Sequence, residues 1–130
     1  MDDSARQATS RPVLEPGPDH PISITPTGSR VLVKIGDKVV AESSGALTLR
    51  EANYPPVQYV PLADVKPELL RPASTTSYCP YKGDCSYYSI AAGNDEITDA
   101  VWTYRQPYAA VADIVGHVAF YPNKVTISVG

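Results

Sequence analysis

Long apolar runs are missing from this chain of 130 residues. Its first twenty residues begin with acidic side chains and contain no apolar segment of the roughly 7 to 15 residues that a secretory signal needs. No segment approaches the roughly 18 apolar residues of a membrane-spanning helix. We therefore expect a cytoplasmic protein that does not bind membranes.

Clusters of basic residues are also missing. The 11 Lys and Arg residues are scattered, and the net charge is -3 at pH 7. Because no basic stripe is available to neutralise phosphates, the sequence predicts no nucleic-acid partner. Glycine-rich phosphate loops, the G-x-S-x-G elbow and a Ser-His-Asp signature are absent from the sequence as well, which makes nucleotide chemistry by known motifs an unfavoured hypothesis.

Cysteine and histidine are scarce, with two residues of each. Structural zinc usually needs four such ligands in close pairs, and Cys79 and Cys85 are separated by five residues, with His20 and His117 far away in the sequence. The sequence therefore predicts no metal site and no cofactor. A reducing compartment favours two free thiols.

A disulfide and a redox role for the two cysteines remain alternatives. Cys79 would face Cys85 across a loop of residues 80–84, whereas a two-residue Lys82-Gly83 turn would place Cys79 opposite Ser86. A redox role predicts two cysteines within bonding distance and at least one accessible thiol.

Proline and tyrosine are the abundant residues, with 13 prolines and nine tyrosines against one phenylalanine. The prolines of residues 1–21 predict a flexible or strap-like N-terminal tail. Residues 22–130 are then one β domain, which is long enough to bury a core without metals or disulfides.

Short alternating segments dominate that domain. Val31, Val33 and Ile35 alternate before a Gly36-Asp37 turn, and Lys38–Ala41 returns as the partner strand. Similar strands are predicted at 46–51, 57–62, 101–105, 117–121 and 125–129, with helical turns near 65–70 and 109–115. This pattern predicts a mainly β fold with one or two short helical turns.

The segment Thr75–Ile90 holds both cysteines, four tyrosines and a Lys82-Gly83 turn. It predicts a β-hairpin whose tip presents one cation beside phenol rings. An exposed turn residue without a role is the ordinary interpretation of Lys82.

Glu51 lies by strand parity on the same face as Leu47 and Leu49. The favoured interpretation is that the strand ends at Arg50 and that Glu51 is solvated. Otherwise the carboxylate needs a partner, because an unpaired buried charge is costly and would have a raised pKa.

These polar and aromatic residues form a candidate site in which charged groups act on a ligand and rings supply contact area. The candidate catalytic residues are Glu51, Lys82, His117 and Cys79, and the candidate ligand-binding residues are Tyr59, Tyr88, Trp102 and Tyr104. The ordinary interpretations are core packing for Trp102, sheet packing for the tyrosines and a backbone-bonded strand residue for His117.

The leading hypothesis is a protein that binds a small polar or anionic ligand in a tyrosine-rich cleft, with acid–base catalysis as a further step. Whether the protein is an enzyme is left open. The alternative is a non-catalytic module that receives a protein segment in the cleft or on an exposed aromatic patch.

Several short motifs in order resemble a known family. They include Val40-Ala41-Glu42-Ser43, Leu49-Arg50-Glu51, the segment 59–65, the run Cys79-Pro80-Tyr81-Lys82-Gly83, the AVWTY segment around Trp102, Pro107-Tyr108, the segment 116–121 and Lys124-Val125. From about residue 30 to residue 127 the chain resembles the family labelled domain of unknown function 427.

The resemblance implies a fold more than a function. It implies two antiparallel sheets in a β-tent (Mss4-like) arrangement around a cleft. Zinc-binding proteins of that architecture carry two Cys-x-x-Cys pairs, which this chain lacks, so their metal chemistry is not transferred. The family is also catalogued as nucleotidyltransferase-like, but the chain lacks the paired acidic residues and Gly-Ser signature of that chemistry.

Overall fold

The computed structural model describes residues 11–130. Over these residues the chain forms ten strands: β1 (Ile22–Pro26), β2 (Val31–Ile35), β3 (Lys38–Ser43), β4 (Leu47–Glu51), β5 (Val57–Pro61), β6 (Leu70–Cys79), β7 (Gly83–Ala92), β8 (Asp95–Thr103), β9 (His117–Phe120) and β10 (Thr126–Val129). Short 3₁₀ segments lie at Leu62–Asp64, Pro67–Leu69 and Ala109–Ile114.

The strands form two antiparallel sheets. The larger has the order β1-β4-β5-β9-β8-β7-β6 and the smaller the order β10-β2-β3. The predicted mainly β fold with two antiparallel sheets is confirmed. The helical content of residues 11–130 is limited to short turns, as predicted: Pro67–Leu69 and Ala109–Ile114 lie within the predicted turns, and Leu62–Asp64 lies just before the first of them.

The β2–β3 hairpin is confirmed, with strands on either side of the Gly36-Asp37 turn. Val31 and Val33 are fully buried on its inner face, where they belong to one core cluster with Val60, Ile90 and Val101 of the larger sheet. Each fully buried side chain of this kind contributes about 1.5–3 kcal/mol to the stability of the fold. This layer between the sheets is therefore the main hydrophobic core.

The opposite face of the larger sheet carries a second cluster. Successive strand residues point to opposite faces, so Val101 joins the main core while Trp102 packs on the second cluster. The second cluster also contains Leu49, Tyr59 and Ala119, together with Val111 and Ile114 of the last 3₁₀ segment.

The tyrosine-rich hairpin is formed by β6 and β7. Cys79 pairs with Gly83, and Ser77 pairs with Cys85, so residues 80–82 form the loop. Both predicted registers are therefore wrong. Gly83 has a φ of +109°, which lets the chain reverse directly after Lys82, and both cysteines are free thiols.

Within residues 11–130, no helix is both long and apolar enough to cross a membrane.

Replacing Gly83 with alanine should lower the free energy of unfolding by about 2–3 kcal/mol, because φ is strained for an L-residue there. The added Cβ would also lie 3.4 Å from the Gln106 carbonyl oxygen. Gly93→Ala is the matched control, since its φ of +63° lies in the left-handed helical region and its Cβ meets no atom within 4 Å. Urea unfolding measures both variants, and equal losses would contradict the account of the turn.

Candidate functional site

An ion pair between Glu51 and Lys82 forms the polar centre of the site. The Lys82 Nζ donates a hydrogen bond to the Glu51 Oε1 atom. The Glu51 side chain is only 14% exposed, and the Lys82 side chain is only 8% exposed. A charged pair so deeply buried is unusual, since each charge would be costly to bury without the other.

The local backbone directs both side chains inward. Glu51 ends β4 and shares a face with Leu49, as its parity predicted, but it is partnered and not solvated. At the hairpin tip, the Tyr108 N–H donates to the Lys82 carbonyl at 3.0 Å, so the chain after β8 covers the turn. Lys82 is therefore not an exposed turn residue.

A third polar residue comes from the N-terminal segment. The His20 Nε2 atom lies 2.7 Å from the Glu51 Oε2 atom, and the His20 ring stacks on Tyr81 with centroids 4.0 Å apart. Glu51 thus has one partner on each carboxylate oxygen.

The segment that carries His20 lies along the tyrosine hairpin. Arg11 pairs with Asp84 at 2.6 Å and stands 3.7 Å over the Tyr78 ring. The Tyr78 hydroxyl donates to the Pro12 carbonyl at 2.7 Å. Residues 11–21 of the predicted tail therefore contact the domain, and residues 1–10 of that prediction lie outside the described residues.

Electrostatics keep Glu51 ionised. Burial acts to raise the pKa of its carboxyl group, but the hydrogen bonds from Lys82 and His20 outweigh burial and hold the pKa below its ordinary value. At neutral pH the site therefore contains a carboxylate beside an ammonium group.

The charged pair opens into a cavity of about 260 Å³, which we call the tyrosine cavity. Its aromatic walls are Tyr54, Tyr59, Tyr87, Trp102, Tyr104 and Tyr121. Leu49, Val57 and Cys85 complete the lining beside Glu51 and Lys82. The mixture of ring surface and a few convergent polar groups is typical of small-ligand pockets.

The aromatic walls are held in place by one another. The Trp102 Nε1–H donates to the Tyr59 hydroxyl at 3.2 Å, with the two rings edge to face at 6.4 Å. On its other side Trp102 packs against Tyr121, with centroids 4.5 Å apart. These contacts fix the indole ring in the cavity wall.

Three phenol groups of the cavity, those of Tyr59, Tyr104 and Tyr121, stay neutral. Burial raises the pKa of Tyr59 and of Tyr104 above the ordinary tyrosine value. Burial, together with a hydrogen bond that the Tyr121 hydroxyl donates to Tyr87, raises the pKa of Tyr121 to about 12. Burial also raises the pKa of the Cys85 thiol. These groups can therefore offer hydrogen bonds but not negative charge at neutral pH.

The structure brings most of the predicted site residues together. Glu51, Lys82, Tyr59, Trp102 and Tyr104 all line the tyrosine cavity. Cys79 lies just behind this lining, with its Sγ atom 3.8 Å from the Lys82 Nζ atom.

Two predicted residues lie elsewhere. Tyr88 is on the opposite face of β7, packed against the main core beside Leu70 and Pro72. His117 bonds to the backbone through its Nδ1 atom, 2.8 Å from the Val115 carbonyl, and it is not among the residues that line the cavity. Sequence separation alone could not place either side chain.

The cavity residues that the sequence analysis missed are Tyr54, Tyr87, Cys85 and Tyr121. Tyr87 pairs in register with Trp102, and cross-strand partners share a face. A correct register for β7 and β8 would therefore have selected Tyr87 in place of Tyr88. No sequence pattern indicated that His20 lies at the site, because His20 is in a proline-rich segment outside the strands of the described structure.

In the part of the chain that the structure describes, no three His, Cys, Asp or Glu side chains come together as a metal site. The polar centre is instead a charge pair with a histidine.

The model of a family described as a domain of unknown function (DUF427) matches residues 23–130. No curated protein matches the chain. The nucleotidyltransferase-like name of the family is a label that assigns no reaction.

The buried ion pair should show strong coupling in a double-mutant cycle. Glu51→Gln and Lys82→Met should each lower the free energy of unfolding by about 3–5 kcal/mol, because each leaves the other charge buried without the opposite charge of its partner. The double variant should lose much less than the sum. Urea unfolding followed by the fluorescence of Trp102, the single tryptophan, measures all four proteins.

The control is the surface pair Arg30–Glu42, whose atoms are 2.7 Å apart and whose side chains are about half exposed. The double-mutant cycle of this surface pair should give a coupling energy of at most about 1 kcal/mol. The folded state lowers the pKa of Glu51, so the ionised carboxylate stabilises the folded protein. This stabilisation is fully present above the unfolded pKa of about 4.3. It is lost as the pH falls through the folded pKa. Equal coupling in the two cycles at pH 7 would contradict the account.

Proposed function

The chain belongs to the domain of unknown function 427 family, and we propose that it binds a small polar ligand in the tyrosine cavity. The ligand lies against the aromatic walls and forms hydrogen bonds with Lys82 and Glu51. The observation that carries the proposal is the buried charge pair at the end of an aromatic cavity.

The charges of the site favour a neutral ligand group. The Lys82 ammonium has three N–H groups, of which two have partners in the described structure, the Glu51 carboxylate and the Cys79 thiol. Its remaining N–H can donate to a ligand carbonyl, while the Glu51 oxygens can accept from a ligand N–H or O–H. An anionic group would meet the Glu51 carboxylate as well as Lys82, so we expect an amide or hydroxyl group to bind more tightly.

The aromatic walls supply most of the contact area. Trp102 and Tyr59 are fixed by their mutual hydrogen bond, so little side-chain freedom is lost when a ligand packs on them. The neutral hydroxyl of Tyr104 adds a polar contact without adding charge. A flat ring or a short polar chain suits such a cavity.

Binding is favoured over acid–base catalysis. A general base works best when its pKa lies near the working pH, and the two partners of Glu51 lower its pKa. His117, the other candidate base, does not line the cavity. Lys82 and Glu51 are therefore proposed as groups that bind and orient the ligand.

A protein-interaction module would call for a contiguous apolar patch without a pocket. The tyrosine cavity and its charge pair support the ligand hypothesis instead.

Benzamide, benzoate and benzyl alcohol test the proposal, since they share one ring and differ in the polar group. Binding of benzamide should change the fluorescence of Trp102 in the full chain, because Trp102 lines the cavity. Benzamide should bind more tightly than benzoate. In the double variant Glu51→Gln/Lys82→Met, benzamide affinity should fall about tenfold, because the charged hydrogen bonds are lost.

Tyr88→Phe is the matched control, because Tyr88 lies on the other face of the sheet, and it should leave benzamide affinity unchanged. Ligand-observed NMR provides an independent readout of binding. If none of the three compounds binds, or if benzamide binds the double variant as well as the unchanged chain, the proposal is overturned.

A further inference from the structure

We propose that the ligand is amphipathic, with a neutral polar group at Lys82 and Glu51 and a linear apolar chain in a neighbouring groove. This inference rests on the proposed function and adds the chemical class of the ligand. The groove, which we call the proline groove, is defined by Pro55, Pro56, Phe120, Pro122, Ile127 and Val129.

The proline groove is larger and less polar than the tyrosine cavity. Its volume is about 530 Å³, and none of its lining residues in the described structure carries a charge. Val129 on its rim is 52% exposed. An apolar group that covers apolar surface left open to water in this way lowers the free energy of the complex.

The groove and the cavity adjoin. Tyr54, Val57 and Trp102 belong to the lining of both. The indole ring of Trp102 therefore separates a polar end, with Lys82 and Glu51, from an apolar end. A single elongated ligand can occupy both ends by passing these shared walls.

The proline groove lies where the pairing of two strands ends. β5 and β9 pair at Val60 with Val118 and at Pro61 with His117, and in the described structure their register pairing stops there. Val57 and Gln58 of β5 and Phe120 of β9 lie beyond these pairs, and all three residues line the groove.

The shared walls identify the occupant as the chain of the same ligand. A ligand confined to the tyrosine cavity would leave the adjoining apolar walls uncovered. A chain attached to its polar group would cover them without a second binding event. The chemical class that fits is a neutral amide or alcohol with an unbranched aliphatic chain.

Butanamide, hexanamide and octanamide test this inference on the full chain by titration of the Trp102 fluorescence. The polar group is constant, so only the apolar chain changes. Affinity should rise roughly fourfold for each added methylene group that enters the groove. The double variant Glu51→Gln/Lys82→Met should weaken all three amides by a similar factor.

Val129→Asp should remove the difference in affinity between octanamide and butanamide, because the substitution places a charge on the apolar rim of the groove. It should leave butanamide affinity unchanged. Val115→Asp is the matched control, since Val115 is 54% exposed and does not line the groove. That variant should bind all three amides as the unchanged chain does.

The outcomes separate this inference from the proposed function. If the amides bind with equal affinity and depend on Lys82 and Glu51, the inference is overturned and the proposed function stands. If octanamide binds independently of the charged pair, the groove is a separate site, such as one for a protein segment, and the inference is overturned. If none of these amides binds but benzamide does, the inference is overturned and the proposed function stands. If neither the aliphatic amides nor the three ring compounds bind, both fail.

Discussion

The ion pair between Glu51 and Lys82 is the constraint on which the rest of the site depends. It joins the end of β4 to the tip of the tyrosine hairpin, across 31 residues of sequence. Removing two charges from water is costly, so the pair is favourable only while both groups are present and hydrogen-bonded. His20 contributes the second partner of Glu51 and brings the N-terminal segment to the same point.

The two faces of the larger sheet explain why a polar site can exist in so small a domain. One face packs against the smaller sheet and carries the main core, with Val31, Val33 and Val101 fully buried. Part of the other face packs against a short 3₁₀ segment, through Val111 and Ile114. The remaining area is covered by tyrosines, whose hydroxyl groups bond to polar neighbours, as Ser77 and Tyr87 do at 2.8 Å.

Local patterns were enough to predict the fold class and several elements. The β2–β3 hairpin follows from alternation around Gly36-Asp37, and the tyrosine hairpin follows from its turn residues. Parity placed Glu51 beside Leu49, but its exposure could not be predicted, because its partners Lys82 and His20 are distant in sequence. Sequence alone does not place Tyr87 in the cavity and Tyr88 on the other face, because the face of each depends on the register between β7 and β8, which no single strand reveals.

The pKa of the Glu51 carboxyl group is the measurement that tests the central claim most directly. A titration of its side-chain ¹³C resonance by NMR, in the full chain, reports this value, with exposed Glu42 as the internal reference. We expect a midpoint below the ordinary value for glutamate, because Lys82 and His20 stabilise the carboxylate. A midpoint above the ordinary value would show burial without effective partners and would contradict the account.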